Sequence, residues 1–239
     1  MSAKTRRTRK VLLFGGGAVH DWRKACPILR RYLVAIDGFA VDYVKEDYDV
    51  FLAERIAHYD LAVLYHTCGE LTSARKTGLL EWLAGGKGLV GVHGAADSFT
   101  ASPDYVAMIG GVFRAHPFLR EYVVSLADTK HPVTRGIEGR VVKHWEKWPV
   151  YEYPVVDEQY LVDYDPRIHV LASAIFRGKA WPVAWTKGWG KGKVFYLALG
   201  HNPQACRSSF FRDLLIGGAV WAADGKRYAE PPTKAFAIG

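Results

Sequence analysis

The chain has 239 residues and a mass of 26.7 kDa, room for one large domain or two small ones and enough to bury a sizeable core. Hydrophobic residues make up 49% and charged residues 23%, without a low-complexity tract, which excludes a disordered, collagen-like or coiled-coil protein and predicts a globular one. The net charge is +8, but Lys4, Arg6, Arg7, Arg9 and Lys10 supply five of those charges ahead of the first hydrophobic run. The body of the chain is therefore nearly balanced, and it lacks the spread basic face that nucleic-acid binding needs.

The basic leader resembles the first part of a signal peptide, yet Val11 to Phe14 is an apolar run of only four residues that breaks at Gly15, too short for the hydrophobic region of such a peptide. No stretch reaches the ~20 apolar residues of a membrane span. Cys26, Cys68 and Cys206 have no CxxC spacing and cannot all pair, so a reducing compartment, the cytoplasm, is expected.

In chain order, Lys10 to Phe14 reads as a strand, and Trp22, Ala25, Leu29, Tyr32, Leu33 and Ile36 then recur at helical spacing. Phe39 to Val44 predicts a second strand, Val50 to Ala57 a short helix, and Asp60 to Tyr65 a third strand. Thr72 or Ser73 can cap a helix carrying Leu79, Leu80 and Leu83, which Gly85 and Gly86 end before a fourth strand at Gly88 to Val92. Alternation of strands with helices predicts a mainly parallel sheet with helices on both faces. After Gly111 the rhythm changes to strands with few helices between them: Tyr122 to Leu126, His169 to Ala174, Pro182 to Thr186 and Val194 to Leu199. Gly188, Gly190 and Gly192 can turn the last two into a hairpin, and Phe210 to Trp221 predicts a closing helix. The division expected is a basic leader over residues 1–9, one domain over 10–225, and a tail over 226–239 that Pro231 and Pro232 keep out of regular structure.

Ligands of open parallel sheets bind outside the carboxyl ends of the strands. His20, His66, His93 and His201 all follow strands at that edge. Imidazole either exchanges a proton near neutral pH or, when neutral, ligates zinc-like metals. A catalytic zinc takes three protein ligands, often histidines with a carboxylate, and Asp21, Glu70, Asp97 and Glu158 are the carboxylates at hand. There is no HExxH motif, so the sequence leaves acid/base and metal chemistry both open.

Gly15-Gly16-Gly17-Ala18-Val19-His20 puts His20 where a dinucleotide fingerprint needs its third glycine, and the loop lacks the Lys and Ser/Thr of a phosphate-binding loop. A flavin or nucleotide site is accordingly the weakest reading. Gly91-Val92-His93-Gly94-Ala95 is a strand-to-helix turn of the kind that mounts a nucleophile in hydrolytic α/β folds, but neither Ser nor Cys stands there and His93 is its reactive side chain. Cys68 is a rival thiol without a signature. Residues 143–160 interleave aromatic and charged side chains, suited equally to a sugar-binding wall and to an oligomer contact such as a homodimer.

Taken together, Gly15-Gly16-Gly17 with His20, His93-Gly94-Ala95-Ala96-Asp97-Ser98-Phe99, Tyr105 with Gly110-Gly111-Val112-Phe113 and His116, His131-Pro132, Asp157-Glu158-Gln159-Tyr160, Pro182-Val183-Ala184-Trp185, and Gly192 to His201 resemble the trehalose-utilisation (ThuA-like) family across roughly residues 10 to 225. The resemblance implies a fold similar to class I glutamine amidotransferases: a three-layer αβα, flavodoxin-like, mainly parallel sheet with an added antiparallel β-hairpin. It does not imply their activity, because Val92 and His93 stand where their elbow cysteine would align. It implies a protein of trehalose, disaccharide or 3-keto-sugar utilisation. On this reading His93, His201 and Glu158 are catalytic, His20, His66, Asp97, Tyr105, His116 and Trp185 meet the substrate, and His20, His66, His93 and His201 are the ligands of a divalent metal such as zinc, should one be used. The reaction expected is an acid/base or metal-assisted isomerisation, elimination or hydrolysis. Its rival is a non-catalytic sugar-binding or regulatory protein on the same fold.

Overall fold

A computed structural model describes residues 8–137, 143–145 and 148–224. The elements run β1 (Arg9–Gly15), α1 (Trp22–Val34), β2 (Phe39–Lys45), a 3-10 turn (Tyr48–Phe51), α2 (Ala53–Ile56), β3 (Leu61–Tyr65), α3 (Ser73–Ala84), β4 (Gly88–Val92) and a 3-10 turn (His93–Asp97). They continue with α4 (Pro103–Ile109), β5 (Gly111–Ala115), β6 (Arg120–Leu126), β7 (Lys143–Trp145), β8 (Trp148–Val150), β9 (Glu152–Asp157), β10 (Leu161–Tyr164), β11 (His169–Phe176), β12 (Lys179–Trp189), β13 (Gly192–Leu197), α5 (Pro203–Cys206) and α6 (Ser209–Asp224).

One nine-stranded sheet organises the chain, in the order β2-β1-β3-β4-β13-β12-β11-β6-β9. From β2 to β13 neighbours are parallel, and from β13 to β9 each neighbour reverses. Val11 to Phe14, Leu61 to Tyr65 and Gly88 to Val92 are buried along their whole length, as continuous apolar runs in a sheet covered on both sides must be. Two glycines of β4 show that covering: a Cβ on Gly88 would meet the Ala222 backbone in α6, and one on Gly91 would meet Ile109 at the end of α4. Three residues apart on a strand, they face opposite ways, so α6 and α4 lie on opposite faces and the architecture is three-layer αβα.

The helices start where the sequence offers caps. Asp21 accepts the Lys24 N–H at the start of α1, and Thr72 accepts that of Arg75 at the start of α3, each satisfying an otherwise unpaired donor. The antiparallel part is larger than the hairpin expected: β12, β11, β6 and β9 form a four-stranded extension, and β5 with β10 makes a separate antiparallel pair. Pro154 argues against a strand in β9, but β9 is the last strand of the sheet, where a proline leaves no ladder bond unmade.

Arg9 is not leader. It pairs with Phe39 as the first residue of β1, and its guanidinium forms an ion pair with Asp224 at the end of α6. Residues 1–7 of the expected leader and the whole expected tail, 226–239, lie outside the described residues.

Candidate functional site

Three loops at the carboxyl edge of the parallel strands bring His20 (after β1), His93 (after β4) and His201 (after β13) together. Glu158 joins them from β9. Four successive reversals separate β13 from β9, so β9 runs in the same direction as the parallel strands and delivers its following residue to the same edge. One ligand atom each of His20, His93, His201 and Glu158 lies within 4.8 Å of the others.

Each side chain is held from behind. His93 sits at φ 45°, a left-handed conformation that costs a non-glycine residue about 1–3 kcal/mol and turns its ring back over the strand ends. Its Nδ1 donates to the Ala198 carbonyl at 2.6 Å, and its own carbonyl accepts from the Tyr196 hydroxyl at 2.6 Å. His20 Nδ1 is 2.5 Å from the Thr67 hydroxyl. Gly94 makes that approach feasible, since a Cβ there would run into the Thr67 hydroxyl, the His66 carbonyl and the His20 ring. Asp157, almost fully buried, accepts the N–H groups of Gly200 (2.6 Å), His201 (3.1 Å) and Glu158 (2.9 Å), so one carboxylate ties the end of β9 to the loop after β13.

The electrostatics follow from burial. Desolvation, with help from His93, pulls the His20 imidazole down to about 3, and burial lowers His201 as well. Burial alone would raise the Glu158 carboxyl, but the nearby His93 and His201 bring it below its ordinary value. The set is then two neutral imidazoles, His93 and a carboxylate. His93 Nε2 is 3.5 Å and His201 Nδ1 2.9 Å from Glu158 Oε2, yet both nitrogens are buried without a hydrogen-bond partner among the described residues. With its Nδ1–H given to Ala198, His93 turns Nε2 toward a carboxylate. A proton or a metal ion between them would satisfy both, and three imidazole nitrogens with one carboxylate are donors that could hold a divalent transition ion. The backing groups on His20 and His93 are of the kind that orient metal-bound imidazoles.

Around this centre stands an aromatic wall. The Tyr160 ring is 3.9 Å from that of His93 and 4.4 Å from Phe113, and its hydroxyl is 3.5 Å from His20 Nε2. His116, partly exposed, brings Nε2 to 3.6 Å from Glu158 Oε1.

The sequence profile of the ThuA family, described as trehalose utilisation, matches residues 10–222. The chain belongs to the ThuA family. Among solved structures, a ThuA-like protein of Parabacteroides merdae ATCC 43184 superposes with a TM-score of 0.79 at 23% identity, covering 95% of this chain and 94% of that one. A ThuA-like protein of Bacteroides uniformis ATCC 8492 gives 0.73 at 19% identity, with 97% and 98% covered. A cytoplasmic protein of Salmonella typhimurium LT2 gives 0.59 at 15% identity, covering 89% of this chain and 99% of that one. At these identities the likeness is one of fold. No curated protein matches.

Three residues expected at the site lie elsewhere in this ThuA chain. His66 is buried and both ring nitrogens are taken, Nδ1 by Ser98 (2.9 Å) and Nε2 by Tyr48 (2.9 Å), while its ring stacks on Phe99. It braces the loops instead of joining the cluster. Tyr105 is buried in α4 with its hydroxyl on the Ala95 carbonyl, under the 3-10 turn. Trp185 is fully buried in β12, its indole N–H on the Ile109 carbonyl and its ring stacked on Tyr196. Both rings are packed in the core and outside the four-residue cluster. Asp97 remains at the margin of the ThuA site, partly buried, its carboxyl raised by desolvation against the pull of His93. Cys68 is exposed and its thiol is raised by burial of its surroundings and by Asp97, the opposite of an activated thiolate. Thr67, Asp157 and Tyr160 were not among the expected site residues; the Asp157-Glu158-Gln159-Tyr160 motif was the signal that could have pointed to two of them.

Proposed function

We propose that this protein is a sugar-directed enzyme of disaccharide or keto-sugar utilisation in which His20, His93, His201 and Glu158 hold a divalent transition-metal ion such as zinc. The convergence of their ligand atoms, with two buried nitrogens facing one carboxylate and no bond between them, carries this reading. The family's link to trehalose utilisation supports the substrate class. The cytoplasmic Salmonella relatives and the uncrosslinked cysteines support a cytoplasmic location.

A bound ion would polarise a sugar carbonyl or hydroxyl. The chain's own groups supply the remainder. His116, outside the ligand set and more exposed than its members, can relay a proton beside the Glu158 carboxyl. Asp97, its carboxyl raised by desolvation, is a second proton carrier. The Tyr160 and Phe113 rings exclude water on the far side. Such a set suits isomerisation, elimination or hydrolysis without a covalent intermediate, as expected of a turn carrying His93 in place of Cys or Ser.

The test is metal analysis of freshly purified protein, followed by turnover of trehalose and of 3-keto-disaccharides with and without a chelator. Chelator-sensitive turnover supports the proposal. Sugar binding without turnover assigns the protein to the non-catalytic class instead.

A further inference from the structure

A surface groove lies beside the centre. His116 stands between the two: its Nε2 faces Glu158, and it lines a groove of about 490 Å³ with Phe118, Leu161, Phe176 and Arg177. The floor is apolar, formed by Leu161 and Phe176. Arg177 lines it with its guanidinium 5.4 Å from the centroid of the Phe176 ring, and Arg120, bonded to Gln159, packs on the same ring at 5.1 Å. At the mouth the Phe118 side chain stands 95% exposed, although a phenyl ring with nothing against it is costly to keep in water.

An apolar floor, an aromatic platform and hydrogen-bond donors along one edge match a pyranose ring, which presents a C–H face and a fringe of hydroxyls. We propose that this groove is a second-ring subsite, so that the protein takes a two-ring glycoside with its reacting ring at the His20, His93, His201 and Glu158 centre and its other ring against Phe118. The proposal rests on the reading of that centre as sugar-directed. It makes Phe118 and Arg177 specificity residues that touch the remote ring and leave the chemistry alone.

Ligand-observed NMR titration of the full chain with trehalose and with glucose tests this, using wild type, Phe118→Ala, Arg177→Ala and His20→Gln, each checked for fold by circular dichroism. Trehalose is expected to bind wild type more tightly than glucose. Phe118→Ala and Arg177→Ala should each weaken trehalose roughly three- to tenfold, the range of a lost aromatic or charged contact, and leave glucose within about twofold. His20→Gln should weaken both sugars. If the two groove variants leave trehalose unchanged, or weaken both sugars alike, while His20→Gln weakens both, the subsite is overturned and the centre stands. If neither sugar binds wild type, or His20→Gln changes neither, the reading of the centre fails and the subsite with it. A drop in molecular mass of Phe118→Ala by light scattering, with trehalose affinity unchanged, would assign Phe118 to a second copy of the chain and overturn the subsite.

Discussion

Asp157 is joined to His201 through the backbone. The Asp157 carboxylate accepts the His201 backbone N–H at 3.1 Å, while the next residue, Glu158, places Oε2 2.9 Å from His201 Nδ1. The last strand of the antiparallel extension and the loop after the last parallel strand are thereby fixed as a unit. Asp157→Asn turns one of its acceptor oxygens into a donor facing a buried N–H. We expect a loss of about 2–3 kcal/mol in denaturant unfolding together with weaker metal retention; full stability with intact metal binding would show the tie to be dispensable.

The metal reading predicts about one zinc ion per chain after zinc loading and desalting, measured by plasma mass spectrometry. His93→Ala should abolish retention and lower any sugar turnover by about 10²- to 10⁴-fold. His58→Ala, an exposed histidine beyond α2, should keep both within a few-fold. Equal zinc content in the two variants would exclude His93 as a ligand.

Thr67 tests the support behind a ligand. Thr67→Val removes the hydroxyl at His20 Nδ1 with little change of volume. Loss of such a backing group weakens metal affinity by about 10- to 100-fold, readable by competition with a chromophoric chelator, while the fold and His20 itself persist. Unchanged affinity would mean that the imidazole needs no such anchor.

Asp165 gives a pH signature away from the site. Bonds from Arg167 and Lys187, each at 2.7 Å, hold its carboxyl well below the usual range, and Lys187 also donates to the Ala107 carbonyl. A carboxyl depressed in the folded state stabilises above its unfolded value of about 3.9 and loses that contribution as pH falls toward its folded one. The urea midpoint of Asp165→Asn should therefore fall below wild type at pH 7, with the gap closing at pH 3. A gap of the same size at both pH values would point to shape instead of charge.

The parallel half of the sheet was legible because a strand buried on both faces must be apolar throughout, and Val11 to Phe14, Leu61 to Tyr65 and Gly88 to Val92 are. In the extension β6, β11 and β12 were legible as strands, but β9, which carries Pro154, was not, and the order in which they pair is chosen by register, which no local pattern states. The edge rule grouped four histidines, but whether a residue at a strand end turns inward depends on backbone angles. His93 adopts a positive φ and reaches the centre; His66, also at a strand end, finds Tyr48 and Ser98 first. Trp185 misled because an aromatic in a motif reads alike whether it lines a pocket or fills a core, and only its neighbours β11, β13 and α4 decide.

The direction of β9 has a consequence for how the molecule holds together. Three of the four central side chains belong to the parallel half and the fourth to the antiparallel half, so whatever occupies the centre spans a seam. Until β6 and β9 have paired, the histidines face one another without their carboxylate. A ligand that needs all four therefore binds the completed sheet alone and adds its binding energy to that state. Occupancy would act as a clasp against the peeling away of the far strands, and a truncation that removed them would take Glu158 from the centre together with the Asp157 tie on the His201 loop.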